Sequence, residues 1–170
     1  FLFSAPWTPS GIWSKVQVKT LDDLKTLKLR TFDASSTITM KNAGVTAVQL
    51  TWGDVFPGLS TGIINAVLTS DEGGVSAKIW EHTKVFHAVG FGIGINLVHM
   101  NKDQFAKLSV ADQKILLDTA KEVEDGAWRK GIERQAANFK TMREQDVVVV
   151  DPVPADIMAA LKAASAPIRG

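Results

Sequence analysis

The stretch LKLRTF DASSTITMKNAG VTAVQL TWGDVFPGLSTG IINAVLTSDEGG, residues 27–74, decides the fold. Three short runs of β-type composition, at 28–32, 45–50 and 63–68, alternate with two segments that open on cap-type residues and end at glycine. That is the rhythm of a parallel βαβαβ unit. Crossovers keep the strands parallel, so all three deliver their C-terminal ends to one edge of the sheet, where open α/β sheets bind ligands. The residues brought there are Asp33, Trp52 and Thr69, with Arg30 slightly back along its strand. A cation, a flat aromatic and a hydroxyl meeting at one crevice read as a site for a small organic anion.

Outward from this core, composition narrows the class. A chain of 170 residues with 45% hydrophobic content holds one domain or two small lobes around a real core. Nineteen basic and eighteen acidic residues leave the net charge near zero, with neither sign in a block. The polyanion footprint of a nucleic-acid binder is therefore missing. No cysteine is present, which excludes disulfides, thiol nucleophiles and thiolate metal sites and is compatible with an oxidising compartment. The longest apolar stretch, 85–100, carries His87, Asn96, His99 and three glycines, and reads as strand rather than as a membrane-spanning helix. No signal peptide is visible and the chain opens on Phe1, as a processed or trimmed product would.

Residues 1–18, FLFSAPWTPSGIWSKVQV, read as an extended run entering a loop, with Phe1, Phe3, Trp7 and Trp13 as buried anchors in preference to ligand-stacking rings. Thr20 and Asp23 have capping-box spacing for a short helix at 21–26. Ser35 or Ser36 is the expected cap of the helix after the first strand, and Gly44 its closing glycine. Starting the next helix at Asp54 places Pro57 in the first turn, where backbone donors are unpaired anyway, and leaves Thr51, Trp52 and Gly53 as a loop at the strand edge.

Beyond it, a helix at 75–83 shows Val75, Ile79 and Trp80 on its apolar side, followed by strands at 84–86 and 91–100. Gly90, Gly92 and Gly94 recur with period two and leave one strand face bare, but the spacing is not that of a dinucleotide fingerprint. Ser109 and Asp112 cap a long helix whose stripe of Ile115, Leu116, Val123, Ala127, Ile132, Ala136 and Phe139 runs to about Met142. At 1.5 Å per residue it reaches on the order of 50 Å, enough to span two lobes, with a bend expected near Gly126 or Gly131. A buried strand at 147–150 and a helix at 155–164 complete the reading.

Catalytic patterns are missing. His82 and His87 are five apart, His99 lies in a strand, and neither HExxH, GxSxG nor a P-loop occurs. No metal, cofactor or catalytic group is expected, and the chain reads as a binder rather than an enzyme.

The segments LDDLKTLKLRTF, AGVTAVQLTWGDVFPGLSTGIINAVLTS, KIWEHTKVF and VHMNKDQFAKLSVADQKILLDTAKE, in this order, resemble the substrate-binding proteins of tripartite ATP-independent periplasmic (TRAP) transporters, the DctP-type family. The resemblance implies an α/β, periplasmic-binding-protein-like clamshell lobe with a mostly parallel sheet and a long C-terminal helix spanning lobes. It also implies a periplasmic location, a small organic acid as ligand and a TRAP permease as membrane partner, without nucleic acid and without direct membrane insertion. The chain corresponds to the second half of that family. Residues 1–26 are then a lead-in segment and crossover, 27–100 a βαβ ligand-binding lobe with a hinge strand, and 101–170 a long helix, strand and C-terminal helix packing toward an absent first lobe. For a fragment of that kind, a dimer or exchanged assembly is expected.

Carried over residue by residue, the resemblance makes Arg30 the partner of the substrate carboxylate, Asp33 a polar lining residue, Trp52 the aromatic that packs on the substrate, and Thr69 a polar side chain reaching it. Pro57, Ser60 and Asn65 depart from the family's usual residues. Asp33 places a negative charge near the anion, which points to a ligand with a hydroxyl or amino group beside its carboxylate. A ligand-sensing or interaction module on the same fold, or an α/β enzyme acting on small acids, remain the alternatives.

Overall fold

The computed structural model describes residues 1–168, with every side chain among them except that of Ile132. The expected place of Ile132 in the helical stripe and the last two residues of segment 101–170 thus lie outside the described residues.

Residues 27–74 fold as β3 (Lys28–Thr31), α2 (Ala34–Asn42), β4 (Thr46–Gln49), α3 (Val55–Thr61) and β5 (Ala66–Ser70), with the next helix beginning at Asp71. The three strands are parallel, in the order β4-β3-β5. Pro57 sits in the first turn of α3, and Gly62 closes that helix at φ +76°. Strand β5 starts at 66 and not at 63, because Ile64 first drops, fully buried, into the core beneath α3. That shift leaves Thr69 inside the strand and Ser70 at its end.

Beyond β5 the sheet continues through β2 (Ser10–Ser14), β6 (Val85–His87) and β8 (Val148–Val150). Strand β2 is antiparallel to both neighbours, while β8 runs parallel to β6. The sheet is mixed and mostly parallel. Val148 is half exposed, so the expected buried strand at 147–150 is an edge strand.

Alternation along the strands sorts the core into two layers. Ile12, Leu29 and Leu68 pack on one face with Leu24 of α1 (Leu21–Lys25), Met40 of α2, and Ile157 and Leu161 of α8 (Ala155–Ser165). Their neighbours Trp13 and Val67 point the other way, to Val55 and Leu59 of α3, Ile79 and Met142. One face of helix α8 therefore belongs to the core under this sheet.

Helix α4 (Asp71–Ser76) follows β5 directly and lies against Trp13 through Gly74, where an added Cβ would stand 2.2 Å from the indole. The expected continuous helix at 75–83 is broken by Lys78 at φ 52°, and a 3-10 turn, Ile79–Glu81, takes over. The glycine-rich run 90–94 is not a strand. It lies along the chain leading into β2, with Ser10 N–H on the Gly92 carbonyl at 2.8 Å, before β7 (Ile95–Val98) pairs antiparallel with β1 (Phe3–Pro6) in a separate two-stranded ribbon.

A short helix, α5 (Lys102–Ala106), leads into α6 (Val110–Arg129) and α7 (Gly131–Glu144), which meet at Lys130, between the two glycines where the bend was expected. The expected buried stripe is not continuous. In α6 only Ala120 is buried, while Ile115 and Val123 are exposed. Helix α6 instead grips the ribbon with polar groups: Glu124 Oε1 accepts from Ser4 N–H (2.8 Å) and Ser4 Oγ (2.6 Å), and Trp128 Nε1 donates to Ser4 Oγ (3.2 Å). These bonds hold the Glu124 carboxyl below its ordinary pKa. Among the described residues, no helix is long and apolar enough to cross a membrane.

Candidate functional site

A cavity of about 580 Å³ opens at the C-terminal edge of β3, β4 and β5. Arg30 from β3, Trp52 just past β4 and Thr69 from β5 line it, as the parallel arrangement requires. Phe32, following β3, and Ser10, at the start of antiparallel β2, add to the wall, and Gly73, Ser76 and Ala77 supply it from α4 and the residue after it.

Arg30 is 5% exposed. Its Nε donates to the Leu50 carbonyl at 3.0 Å and its Nη1 to the Leu68 carbonyl at 3.3 Å, so the guanidinium is positioned by the strands on either side. Burial lowers its pKa and no acid offsets that. A guanidinium remains charged under such a shift. The Trp52 ring, 40% exposed, covers one side, with its centroid 5.5 Å from the guanidinium carbon. The result is a desolvated forked cation whose fixed partners are neutral dipoles, the arrangement that favours a bidentate anion.

Asp33 is not part of this wall. Its Oδ1 accepts from Ser36 N–H at 2.7 Å and Ser36 Oγ reaches back to Asp33 N–H at 3.3 Å, a capping box that spends the carboxylate on the start of α2. The expected serine cap is thereby replaced by Asp33. The charge assigned to the ligand side turns instead to a helix N-terminus, where it is stabilised by the unpaired amides.

Trp7 lines the cavity, although the sequence reading favoured burial for it. Of the four aromatics in the opening segment, Trp13 is fully buried and donates Nε1–H to the Ser70 carbonyl at 3.3 Å, whereas Trp7 and Phe1 are exposed. Composition offered no way to separate Trp7 from Trp13. The β1 to β2 link, which carries Trp7 across the mouth of the cavity, is long-range information.

The α4 wall is anchored from behind. Ser70 Oγ caps it by accepting from Gly73 N–H at 2.9 Å. Asp71, fully buried, accepts from Asn138 Nδ2 (2.5 Å) and Gln135 Nε2 (3.4 Å) of α7, and burial raises its pKa. His87 is buried in β6, with Nε2 accepting from Val18 N–H at 2.9 Å and Nδ1–H facing the Ile12 carbonyl at 3.2 Å. It is a neutral structural staple away from the cavity.

Comparison with known proteins places this geometry. The chain is 30% identical over 138 residues, 81% of its length and 42% of the relative's, to the 2,3-diketo-L-gulonate-binding periplasmic protein of Escherichia coli K12. It is 29% identical to a solute-binding protein of Verminephrobacter eiseniae, over 92% of this chain and 46% of that one. The crystal structure of DctP7, a Bordetella pertussis extracytoplasmic solute receptor binding pyroglutamic acid, superposes with a TM-score of 0.90 at 27% identity, over 99% of this chain and 56% of that one. The chain spans about half the length of these relatives. The model of the bacterial extracellular solute-binding proteins, family 7, matches residues 11–169, and with the mixed sheet and its edge cavity in the expected places, the chain belongs to this DctP family.

Proposed function

We propose that this chain forms the carboxylate-gripping wall of a periplasmic receptor that captures a small organic acid and delivers it to a TRAP membrane permease. The observation that carries the reading is Arg30: a buried guanidinium held by the carbonyls of Leu50 and Leu68, flanked by Trp52 and open to a cavity. A forked donor that has already lost its water binds a carboxylate at smaller desolvation cost than a solvated surface arginine would. Pyroglutamic acid and 2,3-diketo-L-gulonate, the ligands of two relatives, both present such a group.

Thr69 supplies a hydroxyl beside the cation, suited to a ligand carbonyl or hydroxyl next to its carboxylate. Capture rather than turnover fits the lining, which among the described residues holds hydroxyls and one guanidinium but neither histidine nor carboxylate. Delivery follows from differential affinity: a ligand touching both lobes of a clamshell favours the closed form, and a membrane partner reads that shape. Native mass spectrometry of the purified protein tests the reading. An organic acid retained by the protein and absent from an Arg30→Met variant is expected. Retention of the same acid by the variant would overturn it.

A further inference from the structure

Trp7 and Trp13 come from one short segment, and the fold treats them oppositely. Trp13 is sealed in the core, while Trp7 is 39% exposed and lines the cavity. Exposure of a loose surface side chain would mean little, but Trp7 is fixed on both sides. Its N–H donates to the Gly94 carbonyl at 2.8 Å, and the preceding carbonyl, of Pro6, accepts from Arg134 Nη2 at 2.9 Å. The same Arg134 donates through Nη1 to the Ala127 carbonyl at 2.9 Å and faces Glu72 Oε2 at 3.4 Å, tying α6 and α4 to the backbone beside Trp7. The indole rests on Gly94, where an added Cβ would stand 3.3 Å from its Cδ1. An aromatic ring carried on a backbone pinned this way, seated beside Gly94 and left bare toward a cavity, offers a flat contact face to a ligand.

We propose that Trp7 is a ligand-contacting platform and that this wall selects singly charged carboxylates carried on a flat ring. The proposal rests on the carboxylate reading of Arg30. Trp7, Phe32 and Trp52 are all exposed rings, and Arg30 is the one charged side chain among the described lining residues. The remaining polar side chains are the hydroxyls of Ser10, Thr69, Ser70 and Ser76. A phosphate or a dicarboxylate would bring a second charge to a wall with no second cation, and would lose its water without recompense there. A polyhydroxylated chain would set its hydroxyls against aromatic faces that offer no matching donors or acceptors. A flat ring covers those faces while its single carboxylate reaches Arg30.

Calorimetric titration of the intact protein separates these classes, with pyroglutamate, orotate and benzoate as ring monocarboxylates and hexanoate, succinate and glycerol 3-phosphate as the contrast. At least one ring acid is expected to bind about tenfold or more tighter than every contrast compound. Trp7→Leu removes most of that preference, Trp7→Phe keeps most of it, and Gly94→Ala, which pushes on the indole, weakens the ring acid several-fold. If Trp7→Leu melts well below the parent protein, Gly94→Ala decides. Succinate or glycerol 3-phosphate binding as tightly as every ring acid, or a ring preference unchanged in these variants, overturns the proposal and leaves the carboxylate reading standing. No binding by any acid overturns both.

Discussion

The Arg30 guanidinium carbon lies 5.5 Å from the centre of the Trp52 ring. This is cation–π range, and the ring is contributed by the 3-10 turn Trp52–Asp54 after β4 while the cation comes from β3. The pair exists because neighbouring parallel strands end at the same edge, with Val48 registered against Arg30 and the chain then turning over it. Neutral carbonyls and a quadrupole orient the charge without neutralising it, so the guanidinium retains its demand for an anion.

Arg30→Lys is expected to weaken carboxylate binding at least about tenfold, because an ammonium cannot present two parallel donors. The substitution also removes the Nε and Nη1 bonds to the Leu50 and Leu68 carbonyls. Lysine leaves buried carbonyls short of donors, at about 1 to 3 kcal/mol, so the melting temperature should fall by several degrees. Titration calorimetry beside differential scanning calorimetry reads both, and an unchanged affinity would remove Arg30 from the site.

Trp52→Leu keeps apolar bulk and removes the quadrupole. The cation–π contribution at a half-exposed ring is about 0.5 to 1 kcal/mol, and stacking on a ligand adds to it, so a loss of roughly three- to tenfold in affinity is expected with little change in melting temperature. Trp52 is too exposed to support the core, and a large drop in stability would show that packing is its main role.

Gly74→Ala places a methyl 2.2 Å from Trp13 Cε2 and Cζ2, in a layer where Trp13 is fully buried. Overpacking of this kind costs about 1 to 3 kcal/mol or more. For a chain of this size that lowers the melting temperature by about 2 to 4 °C per kcal/mol, and it displaces α4 from the cavity wall. Thermal unfolding that matches the parent protein would mean that the helix moves aside freely.

His87 predicts a pH dependence with a defined sign. Burial lowers its pKa below the ordinary imidazole value, and its Nε2 must be unprotonated to accept from Val18 N–H. The unfolded chain therefore binds more protons than the native one below about pH 6.5. Stability from this group is complete above that value and is lost as pH falls through the folded pKa. Asp71, whose pKa is raised by burial, acts in the opposite sense at lower pH, losing stability as pH rises through its own range. Denaturant unfolding between pH 7 and pH 5 should show stability declining in the parent protein and a flatter profile in His87→Gln, whose amide donates and accepts without titrating. Parallel profiles would show that another group controls this range.

The cap chemistry at Thr20, the position of Pro57, the break near Gly131 and the three parallel strands were all legible from residue types and spacing, because each depends on neighbours within one or two turns or strands. So was the arrival of Arg30, Trp52 and Thr69 at one edge, since parallel strands joined by crossovers leave their C-terminal ends no other place. Asp33 serves as the cap of α2 for an equally local reason. A carboxylate three residues before a serine satisfies a capping box as well as it suits a ligand site, and the helix amides are nearer.

The placement of β2 was beyond any local pattern. It inserts antiparallel between β5 and β6, strands more than fifty residues away in the chain, and that insertion buries Trp13, carries Trp7 to the cavity rim and sets Gly74 against an indole. Period and composition are alike for the two tryptophans. Their separation into core and site follows from long-range strand pairing, which is selected by burying the whole sheet at once and leaves no signature in the segment that carries them.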